Sequence, residues 1–198
     1  MNKYFEETLP EGYKEVFSID ATNTKTTILL SIAALIITLA GVCISILSFP
    51  IHISQLLDEK PKQYFVFIGI FSISLIVYLV LHELTHGVVY KHFTKKKLTY
   101  GFTLTVAYCG IPDIFVYRKT ALLSLCAPLI VFTILFIAGM LIVAEPMWKL
   151  CFALLLSFHL GGCCGDIYDI LLYLFRFKDD TILMNDTGPK QTFYANNH

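Results

Sequence analysis

Four long runs without a formally charged residue restrict this chain more than any other feature. Ile28 to Phe49 ends at Pro50, Phe65 to Leu81 leads into a polar motif, and Thr120 to Ala144 is unbroken. Leu150 to Gly165 carries His159, and beyond Asp166 and Asp169 the apolar pattern resumes to Phe175. Crossing a bilayer takes about 20 apolar residues. The first and third runs meet that length outright; the second and fourth meet it if the neighbouring polar residues lie inside the span. A soluble core would have to hide all four runs within 198 residues. Composition points the same way, with 15% charged residues against roughly a quarter in soluble domains.

The expectation is an all-α polytopic membrane protein, a single domain over residues 1–198 with about four transmembrane helices near 28–49, 65–93, 120–144 and 147–177. Met1 to Lys25 holds five acidic residues, and the first apolar run is too long for a signal peptide, so it reads as a retained anchor. Fifteen basic residues balance fifteen acidic ones, which leaves no basic patch for nucleic acid. The six cysteines form no CxxC pair and read as small packing residues. Lys178 to His198 is polar and reads as a mobile or surface tail.

Lysine and arginine favour the cytoplasmic side of a membrane. With the N-terminus inside, the inner segments hold most of the basic residues, and the outer loops hold only Lys60, Lys62 and Lys149. This predicts an integral, multi-pass protein of a bacterial cell membrane with both termini cytoplasmic. His86 and His82 then lie about 8 and 14 Å of helix before Lys91, and Asp166 about 15 Å before Arg176. The two polar sites share a depth and could meet.

His82-Glu83-Leu84-Thr85-His86 is the polar motif of the second run. Positions i and i+4 lie on one helix face, so two imidazoles there can bind one metal ion. The glutamate after the first histidine can serve as general base. A charged residue inside a span is costly and marks function by default, which favours a metal site over a wetted helix end. Catalytic zinc typically takes three protein ligands. Asp166, alone within an apolar span, ranks first as the third; Asp169, one turn further on, ranks second, and Cys163 is a softer alternative. His159 lies two turns before Asp166 and about 10 Å further out. It could stand beside the site or simply satisfy a hydrogen bond between helices. Gly161 and Gly165 form a small-xxx-small pattern that permits close helix approach. His92, beside Lys91 and Lys95 to Lys97, belongs at the wet interface.

Leu98 to Tyr108 is rich in Thr, Tyr, Phe and Val, and Ile114 to Lys119 follows a turn-like Cys109 to Asp113. The pattern predicts a short β-hairpin between the second and third spans. Its edge could bind an extended peptide, or the hairpin could serve only as a cap.

HELTHG closing a span, a strand-like segment running into Ala107-Tyr108-Cys109, and a later span with GGCCGD together resemble the DUF3267 zincin peptidase family. More distantly they look like site-2-type intramembrane metalloproteases. The resemblance covers roughly Tyr64 to Phe175. It implies a zinc-dependent membrane endopeptidase with one zinc ion per chain, His82, His86 and Asp166 as ligands and Glu83 as catalytic base. In the site-2-type pattern a Gly follows the ligand Asp, whereas here Gly165 precedes Asp166 and Ile167 follows it. The implied substrate is a membrane protein or peptide reached within the lipid bilayer. A non-catalytic metal-binding membrane protein (a sensor, chaperone or transporter component) would need the histidines and Asp166 but not Glu83. A plain helical scaffold would bind no stoichiometric metal.

Overall fold

The computed structural model describes residues 3–21, 23–49, 61–103 and 107–196. Lys60 and residues 104–106 lie outside them. Among the described residues the helices are α1 (Thr24–Ser48), α2 (Pro61–Thr94), α3 (Arg118–Ile142), α4 (Pro146–Gly162) and α5 (Cys164–Leu171). A π-helical turn, Leu172–Arg176, closes α5. Three helical segments, Lys25–Ser48, Lys62–Thr94 and Arg118–Ile142, are long and apolar enough to cross a membrane. Leu29, Leu47, Ile134 and Leu141 leave large apolar side chains exposed on α1 and α3. The expected fourth span is interrupted: α4 stops where Gly161 and Gly162 weaken the helix, and Cys163 caps it by donating its N–H to the His159 carbonyl at 2.9 Å. Taken together, α4 and α5 make a fourth candidate span.

The all-α expectation needs correction, because the chain also builds a six-stranded antiparallel sheet. Its strands are β1 (Phe5–Glu6), β2 (Tyr13–Asp20), β3 (Thr99–Phe102), β4 (Ala107–Tyr117), β5 (Leu183–Asp186) and β6 (Lys190–Asn196). The order is β1-β4-β5-β6-β2, with β3 pairing the first part of β4. The expected hairpin is displaced. Residues 98–108, read as one strand, divide into β3 and the start of β4, and the supposed turn at Cys109 to Asp113 lies inside β4. Pro112 survives there because the β4–β5 register shifts between Ile111 and Val116, which suits a residue with no ladder donor. Asn185 Nδ2 donates to the carbonyls of Pro112 at 2.8 Å and Ile114 at 2.9 Å, replacing backbone bonds. The polar tail is also ordered: β6 pairs along β2, and Leu183, Met184 and Phe193 are fully buried.

The chain forms two compact units. One comprises Met1–Ser31, His82–Pro128 and Gly165–His198; the other comprises Ile32–Leu81 and Leu129–Cys164. The first contains the sheet and a core built on Tyr90, Ile111, Val116, Tyr173, Met184 and Phe193. The second packs Tyr78, Phe132, Phe136, Cys151 and Leu155. Within it α1 approaches α4 closely, since a Cβ on Gly161 would strike Thr38 Oγ1 and the Ala34 carbonyl. Half of the small-xxx-small pattern is thus used, and for α1. Nothing lies within 4 Å of a Cβ built on Gly165.

Candidate metal centre

All three first-ranked ligands belong to the sheet-bearing unit. The four-residue spacing stacks His82 and His86 on one face of α2, with their Nε2 atoms 3.2 Å apart. Asp166, in the first turn of α5, reaches both: its Oδ2 lies 3.2 Å from His82 Nε2 and its Oδ1 3.5 Å from His86 Nε2. One ligand atom from each residue falls within 4.8 Å of the others. Both histidines are buried.

The hydrogen bonds around His86 fix its chemistry. Its Nδ1 lies 3.0 Å from the Ser124 carbonyl on α3. A carbonyl only accepts, so Nδ1 carries a proton, and Nε2 is the ring nitrogen that faces His82 and Asp166. Such bonds orient metal-ligating histidines. Ser124 Oγ donates in return to the His86 carbonyl at 3.4 Å, joining α2 to α3 from both sides. Asp166 Oδ2 is buried and takes no hydrogen bond among the described residues, apart from its ion-pair contact with His82. The two Nε2 atoms and the Asp166 carboxylate therefore converge on one point. A cation placed among them serves all three residues. Two imidazole nitrogens and a carboxylate oxygen are the common hydrolytic zinc set, so the residues fit that ion.

Glu83 is half-buried on the adjacent face of α2. The backbone N–H of Cys109 on β4 hydrogen-bonds its carboxylate. Burial, with Asp186 and Glu83 nearby, pushes the Cys109 thiol up to about 12. Tyr90, one turn beyond His86, donates to Asp186 Oδ2 at 2.8 Å, and Gly188 N–H donates to Asp186 Oδ1 at 2.9 Å. Burial still holds the Asp186 carboxyl up at about 6. Asp186 and Tyr100 border this region and were not singled out in the sequence. Asp186 pairs with Ile111, far away in the chain, whereas Tyr100 pairs with Cys109 across a local hairpin.

The other candidates are placed as follows. Asp169 is buried with Oδ1 unbonded among the described residues, and it is not one of the three grouped ligands. His159 and Cys163 belong to the second unit. There His159 is fully buried: Nδ1 lies 2.9 Å from Tyr78 Oη, and Nε2 lies 3.2 Å from Thr133 Oγ1 and 3.3 Å from the Leu129 carbonyl. The Leu129 carbonyl assigns the proton to Nε2, so Nδ1 accepts from Tyr78. Cys163 Sγ packs 3.4 Å from the same ring. His92 is exposed in the last turn of α2.

Residues 75–182 match a protein family, DUF3267, described as "Putative zincin peptidase". The chain belongs to this family. The match contains His82, Glu83, His86 and Asp166, and it ends before β5 and β6. No curated protein and no solved structure matches the chain.

Proposed function

We propose that this DUF3267 protein is a zinc-dependent membrane endopeptidase whose ligands are His82, His86 and Asp166 and whose general base is Glu83. The carrying observation is the convergence of two histidine nitrogens and a buried carboxylate beside Glu83. Zinc, when bound, supplies Lewis acidity toward the substrate carbonyl and acidifies water. The protein's own residues do the rest. The Ser124 carbonyl keeps the His86 lone pair aimed inward. The Cys109 N–H holds the Glu83 carboxylate in place, so that it can take a proton from the attacking water and deliver it to the leaving amine. The substrate is a membrane protein or peptide; its scissile segment must be unwound, because helical carbonyls are already hydrogen-bonded.

The exposed apolar faces of α1 to α3 favour a bilayer environment. The sheet supports the topology. It unites segments before α1, between α2 and α3, and after α5. Strands joined by hydrogen bonds lie on one side of a membrane, so the chain crosses an even number of times between them. The lysine bias makes that side the cytoplasm.

Glu83→Gln tests the reading. Cleavage of a quenched-fluorescent peptide mixture by the detergent-solubilised protein should disappear, while about one zinc per chain remains. Cleavage equal to wild type would overturn the base. Retained zinc without cleavage in wild type would favour a non-catalytic metal-binding role.

A further inference from the structure

The mechanism above leaves the developing negative charge on the carbonyl oxygen without a protein donor. Glu83 and Gly87 lie one turn apart on the same face of α2. A Cβ on Gly87 would strike the Tyr100 hydroxyl, and Tyr100 Cζ would stand 2.9 Å from it. Glycine is therefore needed for β3 to seat a phenol against this helix beside the base. Tyr100 pairs with Cys109 in the β3–β4 ladder, the residue whose N–H holds Glu83. One strand pair thus carries both the contact that steadies the base and the phenol next to it.

The phenol O–H donates to Cys109 Sγ. A thiol is a weak acceptor, and a carbonyl oxygen gaining charge would outcompete it. The bond can be handed over without leaving a strong partner unsatisfied. Burial, with Cys109 and Glu83 nearby, raises the phenol's pKa, so it stays protonated and able to donate at neutral pH. Tyr100 is also 47% exposed, which leaves the ring reachable from outside the unit.

We propose that Tyr100 is a catalytic residue whose phenol donates a hydrogen bond to the substrate carbonyl oxygen as charge develops there. The assignment rests on the peptidase reading, and the two can fail separately. The phenol keeps its proton throughout, so the bond stabilises the tetrahedral species without adding a transfer step. Removing one such donor lowers turnover by about 10²–10³-fold in enzymes that use it.

The test compares two zinc-directed probes on the full-length, zinc-loaded protein, wild type beside Tyr100→Phe. A dipeptide phosphonate mimics the tetrahedral oxyanion, and acetohydroxamate requires only the metal. Tyr100→Phe should weaken phosphonate binding about 10-fold or more, with hydroxamate affinity and zinc content unchanged. Equal phosphonate affinity in both proteins overturns the role of Tyr100 alone. No phosphonate binding by zinc-loaded wild type overturns the peptidase reading and this assignment with it. Equal loss of both probes makes Tyr100 a structural support of the metal site and overturns the proposal.

Discussion

Each compact unit buries histidine, and the two do so in opposite ways. In the second unit both ring nitrogens of His159 meet hydrogen-bonding partners: Tyr78 at one, Thr133 and the Leu129 carbonyl at the other. Its tautomer is fixed and its polar atoms are satisfied, which is how buried polar groups normally persist. In the sheet-bearing unit His82, His86 and Asp166 turn metal-ligating atoms toward one another. Burial alone does not separate structure from chemistry; the balance of donors and acceptors does. The His159 set locks helices together, whereas the three ligand atoms of the other lie close enough to share one cation.

The strongest break of that contrast is metal content. His86→Ala should abolish stoichiometric zinc, whereas Tyr78→Phe should leave it intact and cost about 1 kcal/mol of stability, as for hydrogen bonds between membrane helices. Zinc retained by His86→Ala would show that the convergence does not bind the ion.

Next in size is a pH effect confined to the sheet side. Asp186 has its folded pKa raised to about 6 by burial, above the ordinary carboxylate value near 3.9. The folded state then binds more protons between these values, so stability is highest below about 4 and falls as pH rises through about 6. Asp186→Asn should remove that fall, read as the difference in unfolding midpoint between variant and wild type from pH 4 to 7. Parallel curves would exclude Asp186 as its source.

The smallest effects come from a matched pair of glycines. Gly161→Ala should destabilise by about 1–3 kcal/mol through overpacking against α1. Gly165→Ala meets open space and should stabilise α5 by up to about 1 kcal/mol. Thermal midpoints of the two variants moving together would contradict the close approach at Gly161.

The candidate ligands could be read from the chain because helical geometry is local. Four-residue spacing determines how His82 and His86 face, and Asp166 stands out against apolar neighbours. The long helices announce themselves for the same reason. Much of the sheet does not, since several of its pairings are remote: Phe5 opposes Val116, and Tyr13 opposes Asn196. Polar composition in β2 and β6 disguises strands that bury only some of their side chains, Phe193 among them. Pro112 imitates a turn because the side chain of Asn185, 73 residues away, supplies what the ladder lacks. Asp186 is hidden in the same way, since it reaches the site from a strand paired with distant Ile111; Tyr100 sits on a local hairpin, where nothing in the spacing marks one aromatic above its neighbours.

The pairing of β2 with β6 also sets an order of events. A chain made from its N-terminus exposes β2 first and supplies its partner only after all five described helices. Loop-closure entropy makes such remote pairings slow, and an unpaired edge invites aggregation meanwhile. Strand β2 must therefore wait for β6, and Asp186 takes its place beside Tyr90 only when the β5–β6 hairpin arrives. The candidate ligands His82, His86 and Asp166 all precede β5 in the chain, so they can be made before the strands that complete the sheet around them.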